Sequence, residues 1–320
     1  MNFKEFFNQF PTEESCKSHF KMYRDKTGVT CKKCQCKEHY WLSTISYYKC
    51  KQCGFRTSLK SGTVMENSKL SFVYWYMAMM FITSTKKSFS ALEMQRQIGH
   101  KFYKPIWLMM HKIRLTMGKR DASYKLNDQV EIDEAFFVTT APIERDQYGK
   151  RILKHHVQTI YKQRMKRGKG SPRNTTVLVM AESILNKGNK DKYRADRAVK
   201  FIKMVQIDGL KTKDILPEIA KTVDSKAHAI TDGALHYNNL KSIVGSHEQL
   251  KMTMNYAHKV LPWVHKTISN AKRNFLGIHH SIGRSYTQNY LNEFCFKFNR
   301  RNNSDLFDRM MNVAVNYKWN

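Results

Sequence analysis

The sequence predicts a mixed α/β protein in three parts: a metal-held cysteine module, a helical segment, and a larger domain of alternating strands and helices. Three observations carry that expectation. Five of the seven cysteines crowd into residues 31–53. Apolar residues recur at helical spacing from about Ser68 to Arg120, and after about Lys125 strand-like and helix-like runs alternate. Length and composition agree: 320 residues suffice for about two domains, and 41% hydrophobic with 12% aromatic residues describes globular chain.

The first thirty residues place Phe3, Phe6, Phe7 and Phe10 at helical spacing before Pro11, so a helical segment is expected over 1–30. Residues 31–60 lose that periodicity and carry Cys31-x-x-Cys34 and Cys50-x-x-Cys53, with fifteen residues between the pairs. Two such knuckles set four thiolates around one tetrahedral Zn²⁺, and Gly54 supplies the turn that follows the second. An odd number of cysteines, so clustered, argues for structural zinc over disulfides and for a reducing compartment. Cys36 is an alternative to Cys34, and His39 is a spare ligand. Lys32, Lys33, Lys37, Lys49, Lys51 and Arg56 stand among Tyr40, Trp41, Tyr47 and Tyr48, a mixture that favours nucleic acid.

Residues 68–120 read as a helix-turn-helix-like region. Ala91, Leu92, Met94 and Ile98 form one apolar face, Gly99 interrupts, and Ile106, Trp107, Met109, Met110 and Ile113 form a second. Pro105 suits the first turn of the second helix, which would bring Lys101, Tyr103 and Lys104 to DNA. An ordinary helical hairpin gives the same pattern, so both readings stand at this level.

From 125 to 320 the sequence is expected to form one domain. Val130–Val138, Thr175–Ile184 and Ala198–Ile207 are strand-like, Lys211–Thr222 is a helix despite Pro217, and a short strand runs through Ala227–Ile230. The last hundred residues end in helical patterns. Tyr161–Asn174, basic and containing Gly and Pro, reads as a mobile loop.

Charge narrows the partner. Lys and Arg total 56 against 26 acids, a net +30 and a pI near 9.8, which asks for a polyanion. A membrane surface is a poor alternative. The longest apolar run, Leu70–Ile82, is 13 residues, short of the ~20 needed to span hydrocarbon, and Met1–Glu5 lacks a signal-peptide core. The expected location is therefore cytoplasmic and nucleoid-associated, or nuclear in a eukaryote, with no membrane partner.

Within Val130–Val138 three acids interrupt a run of strand formers. Side chains alternate across a strand, so Glu131 and Asp133 share one face and Glu134 takes the other. Burying such acids is costly unless something positive binds them. Asp232 follows the strand ending at Ile230 and precedes Gly233, at the carboxyl end where α/β sheets bind ligands. Two carboxylates on neighbouring strands suit a pair of Mg²⁺ or Mn²⁺ ions, although each acid taken singly is better explained as a surface acid on a turn.

Taken in order, the cysteine cluster, SALEMQRQIG, VEIDEAFF, AITDGALHYNNL, WVHKTISNAKRNFLGIHH and YLNEFCFKFNRR resemble the ISXO-two-like insertion-sequence transposases with an N-terminal zinc ribbon, which are similar to Merlin elements. The resemblance covers the chain from about residue 16 and implies a ribonuclease H-like catalytic domain of the acidic-triad class. It assigns the first two metal-binding acids to Asp133 and Asp232. The third acid of that class lies some 35 residues further on. By this resemblance Asn270, 38 residues after Asp232, is the first choice, and Glu293 is the rival, read as structural and paired with Arg300 or Arg301. Lys272 and Arg273 are expected to contact the DNA end. His265, His279 and His280 lie in the same stretch and could touch DNA, with a structural role the first reading.

The resemblance implies an enzyme that binds terminal inverted repeats and target DNA as a homodimer or larger, hydrolyses a phosphodiester at each element end with Mg²⁺ or Mn²⁺, and transfers the freed strand. The alternative is a decayed or domesticated copy acting as a DNA-binding regulator. A ribonuclease H-like RNA-processing nuclease is a weaker third reading.

Overall fold

The computed structural model describes residues 1–140, 171, 173–186, 196–250 and 260–319. The expected basic loop Tyr161–Asn174 lies almost wholly outside the described residues. The chain divides into two compact units: Met1–Ser123 with Arg300–Asn320, and Tyr124–Asn299. No described helix is long and apolar enough to cross a membrane.

In the first unit, helix α1 (Phe3–Gln9) starts at a capping box in which Asn2 and Glu5 accept each other's backbone N–H at 2.9 Å. Pro11 separates it from α2 (Glu13–Thr27), capped by Thr12. Three short antiparallel strands follow, β1 (His39–Leu42), β2 (Tyr47–Cys50) and β3 (Arg56–Ser58), in that order. Next come α3 (Phe72–Ser84), α4 (Ala91–Ile98) and α5 (Tyr103–Asp121). Gly99 closes α4 in the left-handed region at φ 74, where a side chain would be strained. Pro105 falls in the first turn of α5, where its missing N–H costs no helical bond.

The second unit is a six-stranded sheet. Its strands are β4 (Gln129–Thr140), β5 (Asn174–Leu185), β6 (Arg197–Ile207), β7 (His228–Asp232), β8 (Ser246–Leu250) and β9 (Ile282–Gly283). The order is β6-β5-β4-β7-β8, with β9 paired to the end of β4. β4, β5 and β6 run antiparallel, and β7 and β8 add in parallel to β4. Three antiparallel strands continued by parallel ones, with helices on both faces, make a ribonuclease H-like α/β fold.

Side-chain alternation along β4 and β5 separates two cores. Ala135, Phe137, Val177 and Val179 pack on α7 (Pro262–His279) and α8 (Thr287–Asn299). Val130, Ile132, Leu178 and Met180 pack on the opposite face against α6 (Thr212–Thr222) and on Tyr237 and Leu240. Each fully buried aliphatic side chain contributes about 1.5–3 kcal/mol.

The expected single domain from 125 to 320 is corrected at its end. Arg300–Asn320 belongs to the first unit, where α9 (Leu306–Asn316) packs against α2, α3 and α5 and the Ala314 carbonyl accepts from Val64 at 2.9 Å. The buried stripe Phe307, Met310, Met311 and Ala314 is helical in spacing but does not reveal which unit it will cover.

Candidate active site and metal centre

The cysteine centre is built from two copies of one loop. After Cys31 the Gln35 N–H donates to the Cys31 carbonyl at 3.0 Å, and the Cys31 N–H donates to Cys36 at 2.9 Å. After Cys50 the Gly54 N–H and the Cys50 N–H repeat those bonds, at 3.0 Å to Cys50 and 2.9 Å to Phe55. Gln35 and Gly54 both take positive φ, 61 and 68. The knuckles bring the thiols of Cys31, Cys34, Cys50 and Cys53 within 4.8 Å of one another, as one tetrahedral Zn²⁺ requires. The Cys53 amide, with the Gln52 amide behind it, draws Cys50 down to about 6, toward the thiolate a metal binds. Cys36 points away and accepts from the Glu38 N–H at 3.4 Å, and His39 Nδ1 lies 3.1 Å from the Lys37 carbonyl, so neither is needed as a ligand.

The acid site gathers on the central strand of the second unit. β4 and β7 pair in parallel with Ile132 opposite Thr231, which sets Asp133 beside Asp232. Burial pushes Asp133 up to about 6, and the charges of Glu134 and Asp232 add to that rise. The Asp133 carboxylate accepts from the Glu134 N–H at 2.8 Å, and Asp232 accepts from the Ala234 N–H at 3.1 Å. On the opposite face of β4, Glu134 accepts from Tyr237 in a short bond and lies 2.7 Å from His236 Nε2. Both partners stand on the 3-10 turn Leu235–Tyr237 after Asp232, so Glu134 clamps that turn to the strand bearing Asp133.

The third group to reach this place is His265. Its Nδ1 lies 3.7 Å from the Asp133 carboxylate, too far for a hydrogen bond, and its Nε2 is buried without a partner among the described residues. Burial lowers the ring's pKa, keeping it neutral, while Asp232 opposes that shift. Two carboxylates and a neutral imidazole are donor types that suit a divalent cation, although among the described residues they do not stand as close together as the four thiols, and a cation there would offset the burial that raises Asp133.

The structure does not bring Asn270 to this group. Asn270 is exposed and its side-chain carbonyl accepts from Arg273 at 2.6 Å. It lies five positions beyond His265 on α7, about 140° further round the helix. Lys272, seven positions on, shares the His265 side, and its charge acts on Asp133. The signal was present in the sequence: the buried stripe Val264, Ile268, Ala271 and Phe275 fixes the phase of α7 and turns Asn270 outward.

Glu293 sits elsewhere. It is wholly buried in α8, 3.7 Å from Lys297, while Arg300 pairs with Asp121 at 2.6 Å. α8 packs chiefly on β6, two strands over from the β4 strand that carries Asp133. Glu131 is buried on the Asp133 face and accepts from the N–H groups of Trp263 and Val264 at 2.8 and 2.9 Å.

Of the expected DNA contacts, Lys101 and Tyr103 flank the turn between α4 and α5, with Tyr103 exposed. Gln95 of α4 shapes that turn by donating to the carbonyls of His100 and Lys101 at 3.0 and 3.2 Å. Lys104, Lys272 and Arg273 are also exposed.

Comparison with known proteins agrees with this architecture. Residues 125–299 match the ISXO2-like transposase domain, and residues 11–56 match the transposase zinc-ribbon domain. No curated protein gives a match. Among solved structures, a pre-cleavage Mos1 transpososome is similar at 9% identity and a TM-score of 0.27, covering 75% of this chain and 77% of that one, too distant to bear on the site. The domain model spans more than half of the chain, and its limits coincide with the second compact unit. The chain therefore belongs to the ISXO2-like transposases, with a zinc ribbon ahead of its ribonuclease H-like domain.

Proposed function

We propose that the protein is an active transposase that cuts and joins DNA at the ends of its element. The observation that carries this reading is the convergence of Asp133, Asp232 and His265 from two paired strands and one helix. In this reading those three side chains hold divalent metal, with His265 in the third position in place of Asn270 or Glu293. Magnesium or manganese, when bound, supplies activation of the attacking oxygen and neutralisation of the leaving one.

The chain's own groups do the rest. Asp133, within β4, and Asp232, at the end of β7, bring two carboxylates side by side, and the neutral His265 adds a nitrogen ligand without another charge. Glu134, through Tyr237 and His236, holds the turn that aims Asp232. Lys272 and Arg273 receive phosphates of the DNA end beside the site. The ribbon holds zinc and, with the turn between α4 and α5 acting as a helix-turn-helix, recognises the inverted repeat. Holding two ends together calls for a dimer or larger.

The experiment is Mg²⁺-dependent cleavage and strand transfer on DNA carrying the flanking inverted repeats, with Asp133→Ala, Asp232→Ala, His265→Ala, Asn270→Ala and Glu293→Ala beside the wild type. Loss of activity in the first three, with Asn270→Ala active, is the expected result. Full strand transfer by Asp133→Ala would overturn the assignment. A second reading, a DNA-binding regulator that no longer cuts, draws on the absence of an acid at the third position. Tight binding without cleavage by the wild type would favour it.

A further inference from the structure

The first turn of α7 is unusual in what caps it. Leu261, at the N-cap, has no side chain able to accept a hydrogen bond, and Pro262 at the first helical position has no N–H to offer. The first free donors are the N–H groups of Trp263 and Val264, and both end on a single oxygen, Oε2 of Glu131, at 2.8 and 2.9 Å. The next N–H, that of His265, donates to the Leu261 carbonyl at 3.1 Å and begins the helical ladder. The cap therefore comes from near the start of the central strand, 131 positions earlier in the chain than Pro262.

Glu131 is 3% exposed. A carboxylate in the middle of a sheet is costly, and a strand former would fill the place without that cost. What the acid contributes is placement. Glu131 and Asp133 lie two residues apart on one face of β4, and His265 follows Val264 directly. One carboxylate thus ties the strand bearing Asp133 to the turn bearing His265, with the helix dipole favouring its charge. Without it, α7 would keep its apolar seat on the sheet but lose the polar contact that fixes its axial position, and packing alone tolerates small slides.

We infer that Glu131 is a positioning residue: by capping α7 from strand β4 it sets the distance between His265 and Asp133 and so closes the divalent-metal site. This rests on the reading of that site given above.

The test uses the full zinc-loaded chain, with Mn²⁺ as probe and the variants Glu131→Ala and Glu131→Gln. Manganese affinity is measured by titration, and protection of the 261–268 backbone by hydrogen exchange. A glutamine carbonyl can accept both N–H groups, so Glu131→Gln should bind Mn²⁺ within about threefold of wild type, while Glu131→Ala weakens it about tenfold or more. Exchange over the first turn of α7 should rise about tenfold in Glu131→Ala alone. A folded Glu131→Ala chain with unchanged Mn²⁺ affinity would overturn the inference. So would a Glu131→Gln chain that binds as poorly as Glu131→Ala while its α7 amides remain protected, because the charge itself would then be acting. Wild-type protein that fails to bind Mn²⁺, or binds it equally after Asp133→Ala, would refute the site reading instead. The exchange arm would still decide whether Glu131 seats the helix.

Discussion

The molecule carries two candidate metal centres built in opposite ways. The four cysteines fall within 23 residues, and two loops with the same hydrogen-bond pattern present them. Asp133, Asp232 and His265 come from β4, β7 and α7 and converge through strand register and a helix seated on a buried glutamate. Among the described residues only the cysteines already stand as a closed ligand cluster. A centre built from local turns takes its ligand geometry from the hydrogen bonds of its own loops, whereas one built across a sheet depends on every element that sets its spacing.

Breaking the local centre should have the largest effect. Chelation or Cys50→Ser should remove one zinc per chain and unfold the ribbon, since structural zinc supplies on the order of 10 kcal/mol to such modules. Metal analysis with circular dichroism checks it, and Cys36→Ser should retain the zinc. In the dispersed centre, Asp133→Ala or Asp232→Ala should cost at least about a thousandfold in DNA cleavage, and His265→Ala about a hundredfold. Asn270→Ala should stay within about threefold. Single-turnover assays on end DNA measure this series.

The acid centre should also show itself in pH dependence without metal. Burial holds Asp133 at about 6 and Glu131 at about 7, both above their unfolded values near 4. Between those limits the folded state keeps protons that the unfolded chain has released, so stability falls as pH rises from about 4 to 7. Thermal melts across that window should decline. Asp133→Asn should flatten the decline, and Mn²⁺ should offset it by favouring ionised Asp133.

Two smaller changes sharpen the contrast. Tyr237→Phe removes the hydroxyl that donates to Glu134 and should cost about 1–3 kcal/mol, lowering cleavage further if the Asp232 turn loosens. Gln35→Gly relieves a left-handed residue in the first knuckle and should stabilise the ribbon by roughly 0.5–1 kcal/mol, read from denaturant melts.

Much of this was legible in the sequence. Strands expected at Val130–Val138, Thr175–Ile184 and Ala198–Ile207 are present with edges moved by one or two residues, because alternation of apolar residues is a local signal. β8, Ser-His-Glu-Gln-Leu, carries no strand signal in its composition: it is a polar edge strand formed through its pairing with β7. Spacing from Asp232 singles out Asn270, whereas the phase of α7, which turns Asn270 outward and His265 toward Asp133, depends on how the helix seats on the sheet.

By itself the sequence determined the parts whose information is short-range. These are the zinc knuckles, the break at Gly99, the two faces of β4, and the cationic excess that calls for a polyanion. Only the tertiary structure decided which distant groups meet. It put His265 rather than Asn270 beside Asp133, Glu293 in the core of α8, and α9 in the first unit. The physical reason is that turns and alternation follow from neighbouring residues, while a site shared by a strand and a helix follows from strand register, helix phase and the contact that caps the helix.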